Sequence, residues 1–306
     1  MVAMVGEAVK KDNNPDARIA DYVDFIAGTS TGGLITAMLT TPNDTSSPTF
    51  AAKDIVDFYL KNSKFIFPDE DSIEANKNLL LVATSAATYY LPPHHFQNKS
   101  SKGSIEDFNL VDGGVAANNP NLFAICALMR EWSQSKSPSF LKSTEHSKFL
   151  ILSVGIGSSN LSNKLEVGDP NEWGLLKWFI GPEETTPLMD VFTTAMNDMV
   201  DIYISVFYGT MVDIYISVLY GTSGSKENHL RIQTDSLDLT EASTDKSSKN
   251  NLDKLDKIDD ELLKKPVSQI NFDNGLYEPI EGHGTNEEAL VKFAERLSGE
   301  RKKRVA

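Results

Sequence analysis

Hydrophobic and polar positions along this chain follow two periods, one typical of helices and one typical of buried strands. Short apolar runs predict strands at Val23–Ala27, Leu79–Ala83 and Phe149–Val154. Apolar residues spaced three and four apart predict helices over Leu34–Leu39, residues 51–60, Leu252–Leu262 and Leu290–Leu297. Because the strands end at turns that lead into helices, the pattern predicts α/β architecture with a largely parallel sheet.

Two helix starts carry capping signals. Asn119 and Pro120 supply an N-cap and a first-turn proline for one helix. Thr285 and Glu288 form a capping box for the last helix. We expect the apolar face of that last helix to point inward, with Leu290, Phe293, Ala294 and Leu297.

One stretch, Thr234 to Asn251, is nearly all Ser, Thr, Asp, Lys and Asn. Such a composition cannot bury enough apolar surface to order itself, so it predicts a solvated loop or a disordered segment. We expect a single domain over residues 1–306, with the polar loop at 234–251 and C-terminal helices over 252–306.

Composition narrows the classes of function. The chain has 306 residues, and 29 basic against 43 acidic side chains give a net charge of −14. This charge argues against nucleic acid and anionic lipid as partners. The single cysteine, Cys126, cannot form an internal disulfide, and no run of 18 apolar residues exists to span a membrane. The basic residues near the N-terminus follow the apolar ones, the wrong order for a secretory signal, so we expect a cytoplasmic protein.

The strongest chemical signal is Gly28-x-Ser30-x-Gly32, the pattern of a nucleophile elbow. In that device a serine occupies a strained turn between a strand and a helix. We expect both glycines to be required, because a side chain at either place would collide with neighbouring backbone. The N–H groups and positive dipole end of the following helix would favour a developing oxyanion. The alternative is a glycine-rich turn that carries a serine and has no chemistry.

Four groups of motifs together resemble plant patatin-like proteins. They occur in the family's order over nearly the whole chain, as Gly28–Gly33, Thr84–Ala87 with Leu91–Pro92 and His94–Phe96, Val111–Pro120, and Gly284–Leu290. The resemblance implies a lipid acyl hydrolase on a three-layer α/β/α sandwich, with a Ser–Asp dyad and no catalytic histidine. It implies roles in lipid metabolism, plant defence or storage, and peripheral contact with lipid aggregates that carry the acyl ester substrate. We expect neither a cofactor nor a metal.

Carried over residue by residue, the resemblance implies that Ser30 is the nucleophile. Asp112, which opens the motif completed by Gly113 and Gly114, matches its general base. We expect the two side chains to lie within about 3–4 Å of each other or one water apart. The alternative for Asp112 is an Asx-turn residue that caps its own loop.

The other elbow residues would support the nucleophile. The Thr31 backbone N–H is a candidate oxyanion donor, and the turn itself is made by Gly28, Thr29, Thr31 and Gly32. A Ser-Asp-His triad would need a histidine after Asp112, and the candidates are His146, His229 and His283. None lies in a glycine turn, so we expect a dyad. His94 and His95 follow two prolines and are expected in a loop or on the surface.

The chain also departs from the family pattern. Family members carry an Asp-Gly-Gly-Gly-x-Arg-Gly loop upstream of the nucleophile that supplies the oxyanion hole, and no such glycine run precedes Gly28. A block of sheet and helix expected between Phe67 and Leu79 is missing or shortened, and Thr88 replaces the usual proline. Two hypotheses therefore stand: an acyl hydrolase that cleaves phospholipid or galactolipid esters through an acyl-Ser30 intermediate, or a catalytically impaired storage or binding relative.

Residues 199–222 consist of two consecutive copies of one twelve-residue sequence, with Leu219 in the second copy where the first has Phe207. Alternation of apolar and polar residues alone predicts a strand in each copy, and hence a hairpin. The family's matching segment occurs once and is helical, so we expect a helix for the first copy. Twelve residues rotate a helix by about 1200°, which is about 120° beyond whole turns. We therefore expect a break at Gly209-Thr210 and a second copy that is a tolerated insertion.

Overall fold

Helices and strands alternate along the chain. A computed structural model describes residues 17–44, 47–66, 87–88, 92–99, 103–134, 149–159, 173–181, 186–208, 228–243, 246–271, 274 and 276–305. The helices are α1 (Thr31–Thr40), α2 (Asp54–Ile66), α3 (Gly114–Ala117), α4 (Asn121–Gln134), α5 (Leu175–Phe179), α6 (Pro187–Tyr208), α7 (Lys249–Lys264) and α8 (Asn286–Val305). The strands are β1 (His94–Lys99), β2 (Ile105–Leu110), β3 (Ile151–Val154), β4 (His229–Ile232), β5 (Ser268–Ile270) and β6 (Tyr277–Pro279).

The strands within these ranges pair two by two. Strands β1 and β2 form an antiparallel pair, as do β5 and β6, whereas β3 and β4 are parallel. In the parallel pair Ile151 lies opposite His229 and Val154 opposite Ile232. The mixture of helices and strands agrees with the predicted α/β class. The largely parallel sheet and the three-layer sandwich remain predictions, because the described strands form separate two-stranded sheets.

The main core forms where helix α8 packs onto strand β4 and helix α7. The four predicted inward residues of α8 are all buried there, which confirms the inward face. They pack with a set of buried side chains from the other elements: Ala17, Tyr22, Leu230, Ile232, Leu262, Leu263 and Val267. The fully buried Tyr22 ring also carries the Arg301 guanidinium 4.5 Å from its centroid, which attaches the C-terminal end of α8.

Both capping predictions are confirmed. The Glu288 N–H donates to Thr285 Oγ1 at 3.2 Å and the Thr285 N–H donates to Glu288 Oε2 at 3.0 Å, which completes the reciprocal box of α8. The Asn121 N–H donates to Asn119 Oδ1 at 3.2 Å, so Asn119 caps α4 ahead of Pro120.

The predicted strand at Val23–Ala27 is not formed. A strand needs a neighbour with which to exchange backbone hydrogen bonds, and none of the described strands pairs with this segment. Ile26 instead packs its side chain against α1 and α2, in a second core cluster built on Leu39, Ala52 and Ile55. The predicted strand at Leu79–Ala83, and the block between Phe67 and Leu79, lie outside the described residues.

The polar stretch 234–251 is more ordered than its composition predicts. Helix α7 begins inside it at Lys249, where Ser248 caps the helix by accepting the Asn251 N–H at 3.4 Å. The buried Asn251 amide donates to the carbonyls of Thr240 and Lys246. Hydrogen bonds between polar side chains and the loop's own backbone therefore stabilise its structure, and the apolar content of the sequence does not indicate these bonds.

The first copy of the duplicated sequence is helical, as expected, because helix α6 runs through it to Tyr208. Ile204 is fully buried and packs with Ile125, Leu122, Ile151 and Val200. The second copy lies outside the described residues. The alternation that predicts a strand is thus overridden by packing of Ile204 and its neighbours against α4 and β3.

Candidate active site

Ser30 occupies a strained turn immediately before helix α1. Its backbone has φ 53° and ψ −125°, and it is the only non-glycine residue with positive φ in the part of the chain that the structure describes. Such a conformation costs on the order of 1–3 kcal/mol and persists only where the surroundings enforce it. The Ser30 side chain does not cap α1, so its hydroxyl is not occupied by the helix end.

Gly28 and the start of α1 enforce this turn. A Cβ at Gly28 would lie 2.0 Å from the carbonyl oxygen of Gly32, so the backbone of α1 fills the space of a side chain. The Gly33 N–H donates to the Ser30 carbonyl at 2.9 Å and holds the turn closed. Gly32 differs, because a Cβ there would meet nothing within 4 Å. The expectation that both glycines are sterically required is therefore wrong for Gly32, whose Cα hydrogen faces open space.

Thr31 begins the first turn of α1, where N–H groups are not used by the helix itself. Its carbonyl accepts a hydrogen bond from the Tyr59 hydroxyl at 3.5 Å. Burial raises the pKa of Tyr59 to about 12, so the phenol stays protonated and remains a donor. Helix α2 thereby stabilises the first turn of α1 through Tyr59.

Asp112 lies two residues beyond the end of β2 and is 6% exposed. Its Oδ1 accepts the Gly114 N–H at 2.5 Å, which is the Asx-turn role considered above. Its Oδ2 is also buried and has no hydrogen-bond partner among the described residues. One oxygen therefore builds the local turn, and the other makes no hydrogen bond within the described part of the chain.

A direct hydrogen bond joins the two motifs. Thr29 Oγ1 donates to the Ala117 carbonyl at 2.6 Å, which links the residue before Ser30 to the helical turn that follows Asp112. Thr29 and Ala117 are 88 positions apart in sequence. No hydrogen bond joins the Ser30 and Asp112 side chains to each other, and the dyad remains a prediction.

A buried polar cluster holds the segment downstream of Asp112. Asp201, on α6, accepts from Asn119 Nδ2 at 2.8 Å and from the Tyr277 hydroxyl, and Arg231 Nε lies 3.4 Å from it. Arg231 also donates to Ser153 Oγ at 2.9 Å. Burial and the Asp201 carboxylate raise the pKa of Tyr277, which keeps the phenol a donor. The loop that follows Asp112 is thus anchored to α6, β3, β4 and β6.

No role for this buried cluster is predicted from the sequence. The available signal was a charge within an apolar run: Asp201 lies among Val200 and Ile202, and Arg231 lies between Leu230 and Ile232. Charges at such places are rarely buried unless they are paired. The sequence does not show that Asp201 and Arg231 form an ion pair, because one lies on α6 and the other on β4 and only the fold brings them together.

The two described histidines that could complete a triad bind groups other than Ser30. His229 is mostly buried, and its Nε2 accepts from Asn121 Nδ2 at 3.2 Å. Burial and the nearby Arg231 lower its pKa to about 4, so it is neutral near pH 7. His283 Nδ1 lies 3.2 Å from the Glu281 carbonyl. Neither is hydrogen-bonded to Ser30, and His146 lies outside the described residues.

The other two histidines correct one expectation. His94 and His95 begin strand β1 rather than lie in a loop. The exposed His95 pairs with Asp107 on β2 at 3.2 Å, so the surface location is confirmed for His95. Pro92 and Pro93 precede the first paired residue of β1, so neither proline has to donate a hydrogen bond to the neighbouring strand.

Within the described residues, no group of three His, Cys, Asp or Glu side chains is arranged to hold a metal ion. No helix in those ranges combines the length and apolarity needed to cross a bilayer.

The fold and the site define an α/β protein with a serine at a strained, positive-φ turn before a helix. Comparison with known proteins identifies the family of the chain. The chain is 34% identical to Patatin-like protein 2 of Oryza sativa subsp. indica over 375 residues, which covers 99% of this chain and 89% of the relative. It is 35% identical to Patatin-like protein 2 of Arabidopsis thaliana, over 96% of this chain and 86% of the relative. It is 32% identical to Patatin-11 of Solanum tuberosum, over 98% and 85%.

This chain therefore belongs to the plant patatin-like family. No protein-family model matches it.

Proposed function

We propose that this protein is a lipid acyl hydrolase in which Ser30 is the nucleophile and Asp112 the general base. The observation that carries the proposal is the backbone of Ser30, a non-glycine residue held at positive φ by Gly28 and helix α1. The unpaired, buried Oδ2 of Asp112 supports it, as does the hydrogen bond from Thr29 to Ala117 that joins the two motifs.

The proposed reaction has two steps. In the first, Ser30 Oγ attacks the ester carbonyl carbon while Asp112 takes the hydroxyl proton, and the carbonyl π electrons move to its oxygen. The Thr31 N–H and the N-terminal end of α1 stabilise that oxyanion. The tetrahedral adduct collapses, the alcohol leaves with the proton from Asp112, and an acyl-Ser30 ester remains. In the second step water attacks this ester, Asp112 takes its proton, and the fatty acid leaves as Ser30 regains its proton.

The patatin-like relatives, and the motifs that the chain shares with them, support a lipid acyl ester as the substrate. We propose acyl esters of phospholipids or galactolipids. The net charge of −14 favours neutral or zwitterionic headgroups over anionic ones. We also propose a cytoplasmic location and a role in defence or storage.

The test is to compare Ser30→Ala and Asp112→Asn with His229→Gln and His283→Gln in hydrolysis of a long-chain phosphatidylcholine and a monogalactosyl diacylglycerol. We expect the first two variants to lose activity and the last two to keep it. A fluorophosphonate probe should label the wild type on the peptide that contains Ser30. Labelling that survives Ser30→Ala, or strong loss of activity in His283→Gln, would overturn the dyad.

The second candidate is a catalytically impaired relative that binds or stores acyl lipids. It is favoured by the alignment with the rice relative, which extends over 375 residues although this chain has 306, so parts of the relative have no counterpart here. This candidate predicts that the folded wild-type chain binds acyl lipid but releases no fatty acid and resists the fluorophosphonate.

A further inference from the structure

A short apolar segment of the surface has no role in the site described above. It comprises Trp173 to Gly181, with helix α5 at its centre, and is called here the tryptophan segment. Leu175 and Leu176 are each 76% exposed, Ile180 is 64% exposed, and Phe179 is exposed as well. Scattered single apolar residues are normal on a surface, but a contiguous group of this kind marks a contact site.

The segment is organised by its own side chains. The rings of Trp173 and Trp178 meet edge to face with centroids 4.8 Å apart, and Lys177 Nζ lies 5.5 Å from the Trp173 ring centroid. The two indoles are thus fixed at the sides of α5 while the leucines project into solvent. Tryptophans beside exposed aliphatic residues and a lysine are the composition of interfacial membrane contacts.

We propose that the tryptophan segment docks the protein onto a lipid surface of neutral or zwitterionic headgroups. This inference rests on the proposed function, since an acyl hydrolase of membrane lipids must contact their aggregates. Charge agrees with such a partner: Lys177 is the one charged residue between positions 173 and 181, in a chain whose net charge is −14. Glu172 precedes the segment and Glu183 and Glu184 follow it, so these acidic neighbours favour neutral or zwitterionic headgroups over anionic ones.

Size argues for a lipid surface over a second copy of the chain. Helix α5 has five residues, which is a length of about 7.5 Å. A stable dimer buries roughly 800 Å² on each partner, far more than so short a helix presents. Insertion of about 5–10 Å into the headgroup region is instead within reach of its side chains.

The segment is connected to the candidate active site through helix α6. Helix α5 packs against α6, and α6 contacts α3, the turn that follows Asp112. Asn118 also donates to Asn197 of α6 at 3.0 Å. Docking through α5 would thus hold the lipid surface against the same helix that anchors the Asp112 loop.

The test uses the Ser30→Ala background, so that binding is measured without turnover. Full-length protein is sedimented with sucrose-loaded vesicles of phosphatidylcholine. We expect Leu175→Glu with Leu176→Glu to weaken vesicle binding by at least about tenfold. The matched control is Ile105→Glu with Phe123→Glu, which adds the same charge at side chains that are 66% and 67% exposed elsewhere. Circular dichroism verifies that both double variants are folded.

Fluorescence provides a second readout. The three tryptophans are Trp132, Trp173 and Trp178, so Trp132→Phe leaves emission from the segment alone. We expect a blue shift with vesicles and quenching by bromine-labelled phosphatidylcholine. Equal vesicle binding by the two double variants, or no quenching in Trp132→Phe, would overturn the proposal. A concentration-dependent dimer that Leu175→Glu with Leu176→Glu abolishes would also overturn it in favour of a contact between copies.

The outcome is separable from that of the proposed function. With Ser30 intact, Leu175→Glu with Leu176→Glu should keep its rate on a water-soluble short-chain ester and lose it on vesicles. If the wild type hydrolyses neither substrate, the proposed function fails while the vesicle-binding result still decides the docking proposal.

Discussion

Gly28 and Gly32 offer the sharpest test of the site, because the structure predicts that alanine is disruptive at the first position and tolerated at the second. In Gly28→Ala the new methyl group would lie 2.0 Å from the Gly32 carbonyl oxygen, 2.2 Å from its carbon and 2.7 Å from the Gly33 nitrogen. Each of these atoms is backbone at the start of α1, so no side chain can rotate away. In Gly32→Ala the methyl group meets nothing within 4 Å.

The magnitude for Gly28→Ala follows from the displacement needed. Ordinary Cβ contacts begin at 3.4 Å, so α1 must move by more than 1 Å, against the hydrogen bonds that its first turn makes to Ser30. Overpacking of this kind destabilises by about 1–3 kcal/mol. A misplacement of about 1 Å at a reacting group lowers the rate by roughly 100-fold. Gly32→Ala should leave stability unchanged or raise it by up to about 1 kcal/mol, because alanine favours the helix.

The assay is the rate of fluorophosphonate labelling at Ser30, with urea denaturation as the measure of folding free energy. We expect labelling to fall about 100-fold in Gly28→Ala and to stay near wild type in Gly32→Ala. Equal effects of the two substitutions on labelling and stability would refute the reasoning. So would a Gly28→Ala variant that retains both, since the packing of α1 on Gly28 would then not enforce the turn.

Three further predictions concern the rest of the chain. Asp201→Asn should lower the free energy of unfolding by about 3–5 kcal/mol, because it leaves the buried Arg231 charge uncompensated; the same change at the exposed Asp253 should have no measurable effect in urea denaturation. The folded pKa of His229, about 4, lies below its unfolded value of 6.5, so stability should fall as pH drops from 6.5 to 4, by about 3 kcal/mol more in wild type than in His229→Gln. Deleting residues 211–222 should leave the melting temperature unchanged or raised, and a clear drop would show that the second copy packs in the core.

Features that depend on near neighbours in sequence were predicted correctly. The capping box at Thr285 and Glu288, the cap at Asn119 and the inward face of α8 each require residues within a turn or two. The turn at Ser30 is of the same kind, since Gly28 meets Gly32 four positions later, although the strand expected before it is not formed. The error at Gly32 is local too: the motif shows which positions are glycine and does not show the direction in which a side chain would point.

Features that depend on distant partners were not. Val23–Ala27 has the composition of a strand, yet a strand exists only when another segment lies alongside, and composition does not report that neighbour. Residues 199–208 alternate as a strand would, and only the family resemblance predicted the helix that forms there, because burying Ile204 against α4 and β3 outweighs a local preference.

The sequence by itself thus determined the turn at Ser30, the ends of the capped helices and the motifs shared with the patatin-like family. Only the tertiary structure decided that one buried oxygen of Asp112 has no hydrogen-bond partner among the described residues, and that Asp201 and Arg231 meet inside the protein. The physical reason is the range of the interactions. Backbone geometry and caps are fixed over a few residues, whereas burial and charge pairing depend on which segments the whole chain brings together.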